Sequence, residues 1–138
     1  MTLPVTLALD LQIDGRYVES DDPRRIRAAL LRVAREEFAE VWLTLNGGPG
    51  FALLKSGGRA LCLFVRTLED PGFTSRQGLR ERRRGELPFK LADGTSNTFP
   101  AAWTVPFFVA LRAADEFLRT GARPAMVRWH LDGEPSAQ

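Results

Sequence analysis

Side chains capable of covalent chemistry are few in this chain and stand far apart. His130 is the only histidine and Cys62 the only cysteine among 138 residues, so a Cys/His or Ser/His dyad would have to be built on His130. Cys62 lies in the run Ala60-Leu61-Cys62-Leu63-Phe64, and apolar neighbours on both sides describe a buried, inert thiol. A zinc site needs several His or Cys ligands at short spacings, which one of each cannot supply. Carboxylates occur as the adjacent pairs Glu36-Glu37, Glu69-Asp70 and Asp115-Glu116, and neighbours in sequence point to different sides of a helix or strand. With no nucleophile and base, carboxylate dyad or metal set in view, the chain reads as a non-enzyme that takes no metal or cofactor.

Noncovalent recognition is better provided for. Leu79-Arg80-Glu81-Arg82-Arg83-Arg84-Gly85 is a basic run flanked by Gly72, Gly78 and Pro88. Arg80, Arg82, Arg83 and Arg84 carry planar donor forks suited to phosphate or carboxylate; a solvated loop is the competing reading. Trp103, Phe108 and Arg112 are a second candidate group, because aromatics beside arginine have the composition of a protein-binding hot spot. The alternative there is that the 72–88 loop folds over them. Arg24, Arg25, Arg27, Arg32 and Arg35 stud a third segment, as an anion-binding face or as a solvated one.

Charge does not decide between targets. The 19 basic and 17 acidic residues leave a net charge of +2, which steers little, so an acidic protein surface is as good a partner as phosphate. Aromatic and basic residues do not interleave as in RNA-binding motifs, and zinc-finger and helix-turn-helix signatures are missing. Asn46-Gly47-Gly48-Pro49-Gly50 lacks the lysine and hydroxyl of a phosphate-binding loop and precedes a strand, which makes it a hairpin connection.

The elements that must position these groups follow from hydrophobic period. Val5, Leu7, Leu9, Leu11 and Ile13 alternate with Thr6, Ala8, Asp10 and Gln12, a strand with one buried face. Asp14-Gly15 turns the chain, and Tyr17 and Val18 return. Ser20, Asp21 and Asp22 lead into a helix with Asp22 as N-cap, Pro23 at its first position, and Ile26, Ala29, Leu30 and Val33 as its stripe. Val41, Leu43 and Leu45, then residues 51–55 and 60–66, make an antiparallel meander. Its last strand is apolar on both faces and therefore central. Residues 67–100 are the least regular, until Leu87, Phe89 and Leu91 alternate and Asp93-Gly94 turns them back through residues 95–99. Thr104 as N-cap and Pro106 in the first turn open a second helix on Phe107, Ala110, Leu111, Ala114, Phe117 and Leu118. Asp115 on its outer face can pair with Arg112 and Arg119. Gly121 stops the helix, Pro124 prevents its resumption, and Val127 and Trp129 alternate with Arg128 and His130 in a closing strand.

The order β(β)α-βββ-loop-ββ-αβ is an α+β fold: a mainly antiparallel sheet of about five to seven strands with two principal helices, in a single domain spanning 1–138. The chain contains no apolar run of about 18 residues or more, and its first residues alternate without a basic leader, so neither a membrane span nor a secretory signal is expected.

Val105-Pro106 opening a helix, Ala113-Ala114 with Phe117-Leu118 and Thr120-Gly121, then Arg123-Pro124, Val127 and Trp129, resemble the C-terminus of the first-numbered immunity protein family of bacterial polymorphic-toxin systems. Asp93-Gly94 followed by Phe99-Pro100, and the glycine-rich meander, are also similar. The resemblance is loose through residues 1–40 and does not extend to the arginine-rich loop. It implies a small cytoplasmic protein, without catalysis, that binds and neutralises a cognate toxin domain in a 1:1 complex. That toxin would be a nucleic-acid deaminase or, less often, a nuclease. His130 and Leu131 stand where many relatives carry an acidic residue after the closing tryptophan. The basic balance also departs from inhibitors that mimic nucleic acid, which favours blockade of the toxin's active-site entrance by arginines against acidic side chains. A small nucleic-acid-binding domain built on the arginine-rich loop is the alternative; under the immunity reading, direct contact with nucleic acid is not expected.

Overall fold

Alternating apolar residues carry the chain back and forth through one antiparallel sheet. The structure, a computed structural model, describes residues 9–18, 22–45, 48–67 and 69–133. Val5 and Leu7 of the expected first strand, Ser20-Asp21 before the first helix and Asn46-Gly47 of the hairpin connection lie outside the described residues. Strand β1 (Leu9–Ile13) turns at Asp14-Gly15 into β2 (Arg16–Val18), and helix α1 (Pro23–Val33) follows. The meander β3 (Phe38–Leu45), β4 (Gly50–Ser56) and β5 (Arg59–Val65) leads to β6 (Phe73–Arg76). A hairpin of β7 (Glu86–Lys90) and β8 (Ser96–Pro100) comes next. After a single 3-10 turn (Ala101–Trp103), the chain forms β9 (Thr104–Pro106), α2 (Phe107–Thr120) and β10 (Arg128–Leu131).

The α+β arrangement with two principal helices is the one the period changes describe. The main sheet has eight strands, in the order β10-β6-β5-β4-β3-β1-β2 with β9 also paired to β5, and β7-β8 form a separate two-stranded sheet. The extra strands are short pieces that hydrophobic period does not mark. Residues 73–76 join the sheet by pairing with β10 and the end of β5, so the irregular loop starts at Gln77. Thr104 is not the cap of α2: residues 104–106 pair with Arg59, Ala60 and Leu61, and Pro106 occupies the cap position without a side-chain hydrogen bond. The Thr104 hydroxyl is engaged elsewhere, accepting from Arg59 Nε at 3.0 Å and donating to the Ala101 carbonyl at 2.7 Å.

Both helices cover one face of the sheet. Asp22 caps α1 by accepting from the Arg24 N–H at 2.9 Å, and Ile26, Ala29, Leu30 and Val33 enter the main core with Leu11, Val41 and Leu43. From α2, Phe107, Ala110, Ala113, Ala114 and Phe117 are buried. Val109, which lies off the expected stripe, packs partly against the same core. Phe117 stacks on Phe51 at 5.9 Å and meets Phe64 edge-on at 6.2 Å, contacts that add to the area each ring buries. Gly121 ends α2 at φ 69°, a left-handed conformation that glycine adopts without the steric penalty of a Cβ. Trp129 leans on the core and donates to the Pro124 carbonyl at 2.8 Å.

The opposite face holds a smaller core. Leu54, Leu61 and Phe89 are buried there, with Leu87, Leu91, Phe99 and Trp103 packed around them. The β7-β8 hairpin is the cover, tied down where Ala92 N–H donates to Glu40 Oε1 at 2.9 Å. Glu40 Oε2 in turn accepts from Trp42 Nε1 at 2.9 Å. Strand β5 is therefore covered on both sides, and Cys62 is fully buried in it. Burial pushes the Cys62 thiol up to about 12, which keeps it protonated and unreactive at neutral pH.

Candidate partner-binding site

The arginine-rich loop is anchored at Glu81 by a buried residue that lies 22 positions earlier in the chain. Arg59 opens β5 and is only 8% exposed, so its guanidinium must find partners inside the protein. It donates from Nε to the Thr104 hydroxyl at 3.0 Å, from one terminal nitrogen to the Thr104 carbonyl at 2.8 Å, and from the other to Glu81 Oε1 at 2.8 Å. Glu81 Oε2 accepts the Gly78 N–H at 3.1 Å. The sole acidic residue of the basic run is thus spent internally, as the anchor of its own loop. Burial raises the Glu81 pKa, but the hydrogen bonds from Arg59 and the Gly78 N–H, with the charges of Arg59 and Arg83, outweigh it and hold the carboxyl below its ordinary value.

Further ties fix the two ends of the loop. Gln77 N–H donates to the Ala102 carbonyl at 2.8 Å, and Ala101 N–H donates to the Gly85 carbonyl at 2.9 Å. Gln77 Oε1 accepts the Arg83 N–H at 2.9 Å, and the Gln77 carbonyl accepts from Arg128 at 3.0 Å. Arg82 donates to the Leu79 and Glu81 carbonyls at 2.7 and 2.8 Å. The segment is an ordered crest, built from hydrogen bonds where apolar residues are scarce.

Arg80, Arg82, Arg83 and Arg84 are all exposed on that crest. Arg82, Arg83 and Arg84 line, with Glu81, Leu87 and Ala101, an open depression of about 450 Å³. Trp103 lies at the base of the same region. It packs against the smaller core, 6.3 Å from Phe99, and Arg76 stacks on its ring at 4.5 Å. Phe108 and Arg112 stand elsewhere. They are exposed one turn apart on α2, Phe108 by 61%, on the helix-covered face of the sheet. The seven candidate residues therefore fall into two regions, five around the crest and two on α2. Asp115 of α2 pairs with Arg27 of α1 at 2.6 Å and with Arg119 at 3.9 Å.

The residues that tie the crest down, Arg59, Gln77 and Glu81, are not among those the sequence singles out. The one local signal is an acid inside a basic run, since a lone glutamate among four arginines has reason to be paired. Nothing local marks Arg59 as its distant partner. Leu79, 73% exposed among those arginines, is also passed over. Among the described residues no group of three or more His, Cys, Asp or Glu side chains could hold a metal ion, and no helix is long and apolar enough to cross a membrane.

The sequence model of the immunity protein Imm1 family matches residues 14–131. That span runs from the β1-β2 turn to the end of β10 and includes both helices, the hairpin and the crest. No curated protein matches the chain. A match over most of the length shows the family, and the chain belongs to the Imm1 immunity proteins.

Proposed function

We propose that this Imm1 chain neutralises a cognate bacterial toxin domain by binding it as a 1:1 complex in the cytoplasm and covering its active-site entrance. A nucleic-acid deaminase is the toxin class the family resemblance favours. The observation that carries the reading is the crest at 77–85 on a chain of this family. Four exposed arginines stand on a loop tied down by the ion pair between buried Arg59 and half-buried Glu81, and a surface ordered before binding loses less conformational entropy on association. Arginine forks suit carboxylates, and nucleic-acid enzymes need acidic groups where they handle metal ions, protons or cationic intermediates. Phe108 and Arg112 on α2 supply a second contact region.

The test is co-expression with the toxin domain encoded beside this chain. Restored growth, together with a complex that survives gel filtration, is the expected result. Continued killing and separate elution would overturn the reading. A titration of the isolated chain against duplex and single-stranded oligonucleotides completes it: the expected result is no salt-dependent binding, whereas a linear log–log salt slope would assign the arginines to phosphate.

A further inference from the structure

Resting on that reading, we infer that Leu79 is the apolar anchor of the partner surface and that Arg59 and Glu81 are its positioning pair, so that the crest fits an acidic patch with a shallow apolar socket on the toxin domain. Leu79 is exposed by 73%, more than Tyr17 at 65%, Phe108 at 61%, Leu31 at 56% or Met126 at 47%. A branched apolar side chain set among arginines and left in water has the make-up of an interface centre: an apolar contact ringed by charges that register the partner. Its backbone is fixed on both sides, because its carbonyl accepts from Arg82 and the neighbouring Gly78 N–H is held by Glu81.

Charge complementarity identifies the occupant as a protein carboxylate surface. The run holds four arginines and one glutamate, and Arg59 engages that glutamate from below, leaving the outward charge basic. A nucleic-acid backbone would use the arginines and gain nothing from an exposed leucine between them. Arg59 and Glu81 are positioning residues that act through the loop.

The experiment uses the full chain and the catalytically inactivated toxin domain encoded beside it, with Leu79→Ala and Glu81→Gln as the variants. Leu79→Ala should weaken binding about tenfold, chiefly through faster dissociation, with unchanged amide exchange in the free protein. Glu81→Gln should speed amide exchange at 79–84 about tenfold in the free protein while exchange in β4 and β5 stays at the wild-type level, and should weaken binding several-fold. Wild-type affinity in Leu79→Ala overturns the anchor, and wild-type loop exchange in Glu81→Gln overturns the positioning pair. In either case a tight wild-type complex leaves the proposed function standing. If the wild-type chain forms no complex, the inference and the reading it rests on fall together.

Discussion

Two stretches of this molecule are almost equally rich in arginine, and the structure treats them differently. Helix α1 displays Arg24, Arg25, Arg27 and Arg32 on a regular amphipathic backbone whose apolar stripe is buried in the main core. The crest at 77–85 has no apolar stripe, and its shape comes from hydrogen bonds to Arg59, Gln77 and the 101–102 backbone. On α1 the arginines decorate a structure that exists without them. On the crest charged groups build the structure itself. A buried cation joined to a loop carboxylate is an unfavourable way to gain stability, but it is an effective way to hold a polar loop in one shape.

The difference is sharpest on substitution of one arginine associated with each region. Arg59→Leu should destabilise the protein by about 3 kcal/mol, because it leaves Glu81 and the Thr104 oxygens without their buried donor. Arg25→Ala on α1 should stay within about 0.5 kcal/mol. Thermal unfolding of both variants checks this, and equal losses would erase the contrast. Charge reversal comes next. Arg82→Glu, Arg83→Glu and Arg84→Glu together should slow association with the toxin domain at least about tenfold at low salt and flatten its salt dependence. The same reversal at Arg24, Arg25 and Arg32 should change the rate by about twofold or less, as stopped-flow mixing would show.

Acid probes the strut without mutation. The folded Glu81 pKa lies below its ordinary value, so its contribution is complete above about 4.3 and is lost as pH falls through the lower folded value. The Gly78 N–H resonance should report that loss with a midpoint below the ordinary glutamate value, and a midpoint at or above that value would mean that the tether contributes nothing. The smallest effect belongs to the exposed pair between the helices. Arg27→Ala removes the 2.6 Å contact with Asp115, yet both side chains are well solvated, so urea unfolding should register less than about 1 kcal/mol.

The two regions also differ in how much of them could be read from sequence. Helix α1 is legible to the residue: Asp22 caps it, and Ile26, Ala29, Leu30 and Val33 are the residues it buries. The β7-β8 hairpin is nearly as clear, because Leu87 and Phe89 alternate and Asp93-Gly94 turns the chain. Strands β6 and β9 escape because four and three residues are too few for a period, and their pairing with β5 is decided by distant parts of the chain. Thr104 looks like a cap by type, and its actual role follows from Arg59 lying beside it. The crest was visible as composition only. Its arginines stand out in the sequence, whereas the ion pair that orders them joins residues 22 positions apart. The resemblance to the family is carried by structural residues of the C-terminal unit, and these say little about where a partner sits.

Amide hydrogen exchange of the whole chain, free and bound to the inactivated toxin domain, tests the central claim most directly. Protection should concentrate at 78–84, with α1 exchanging as in the free protein. Protection of α1 with 78–84 unchanged would contradict it.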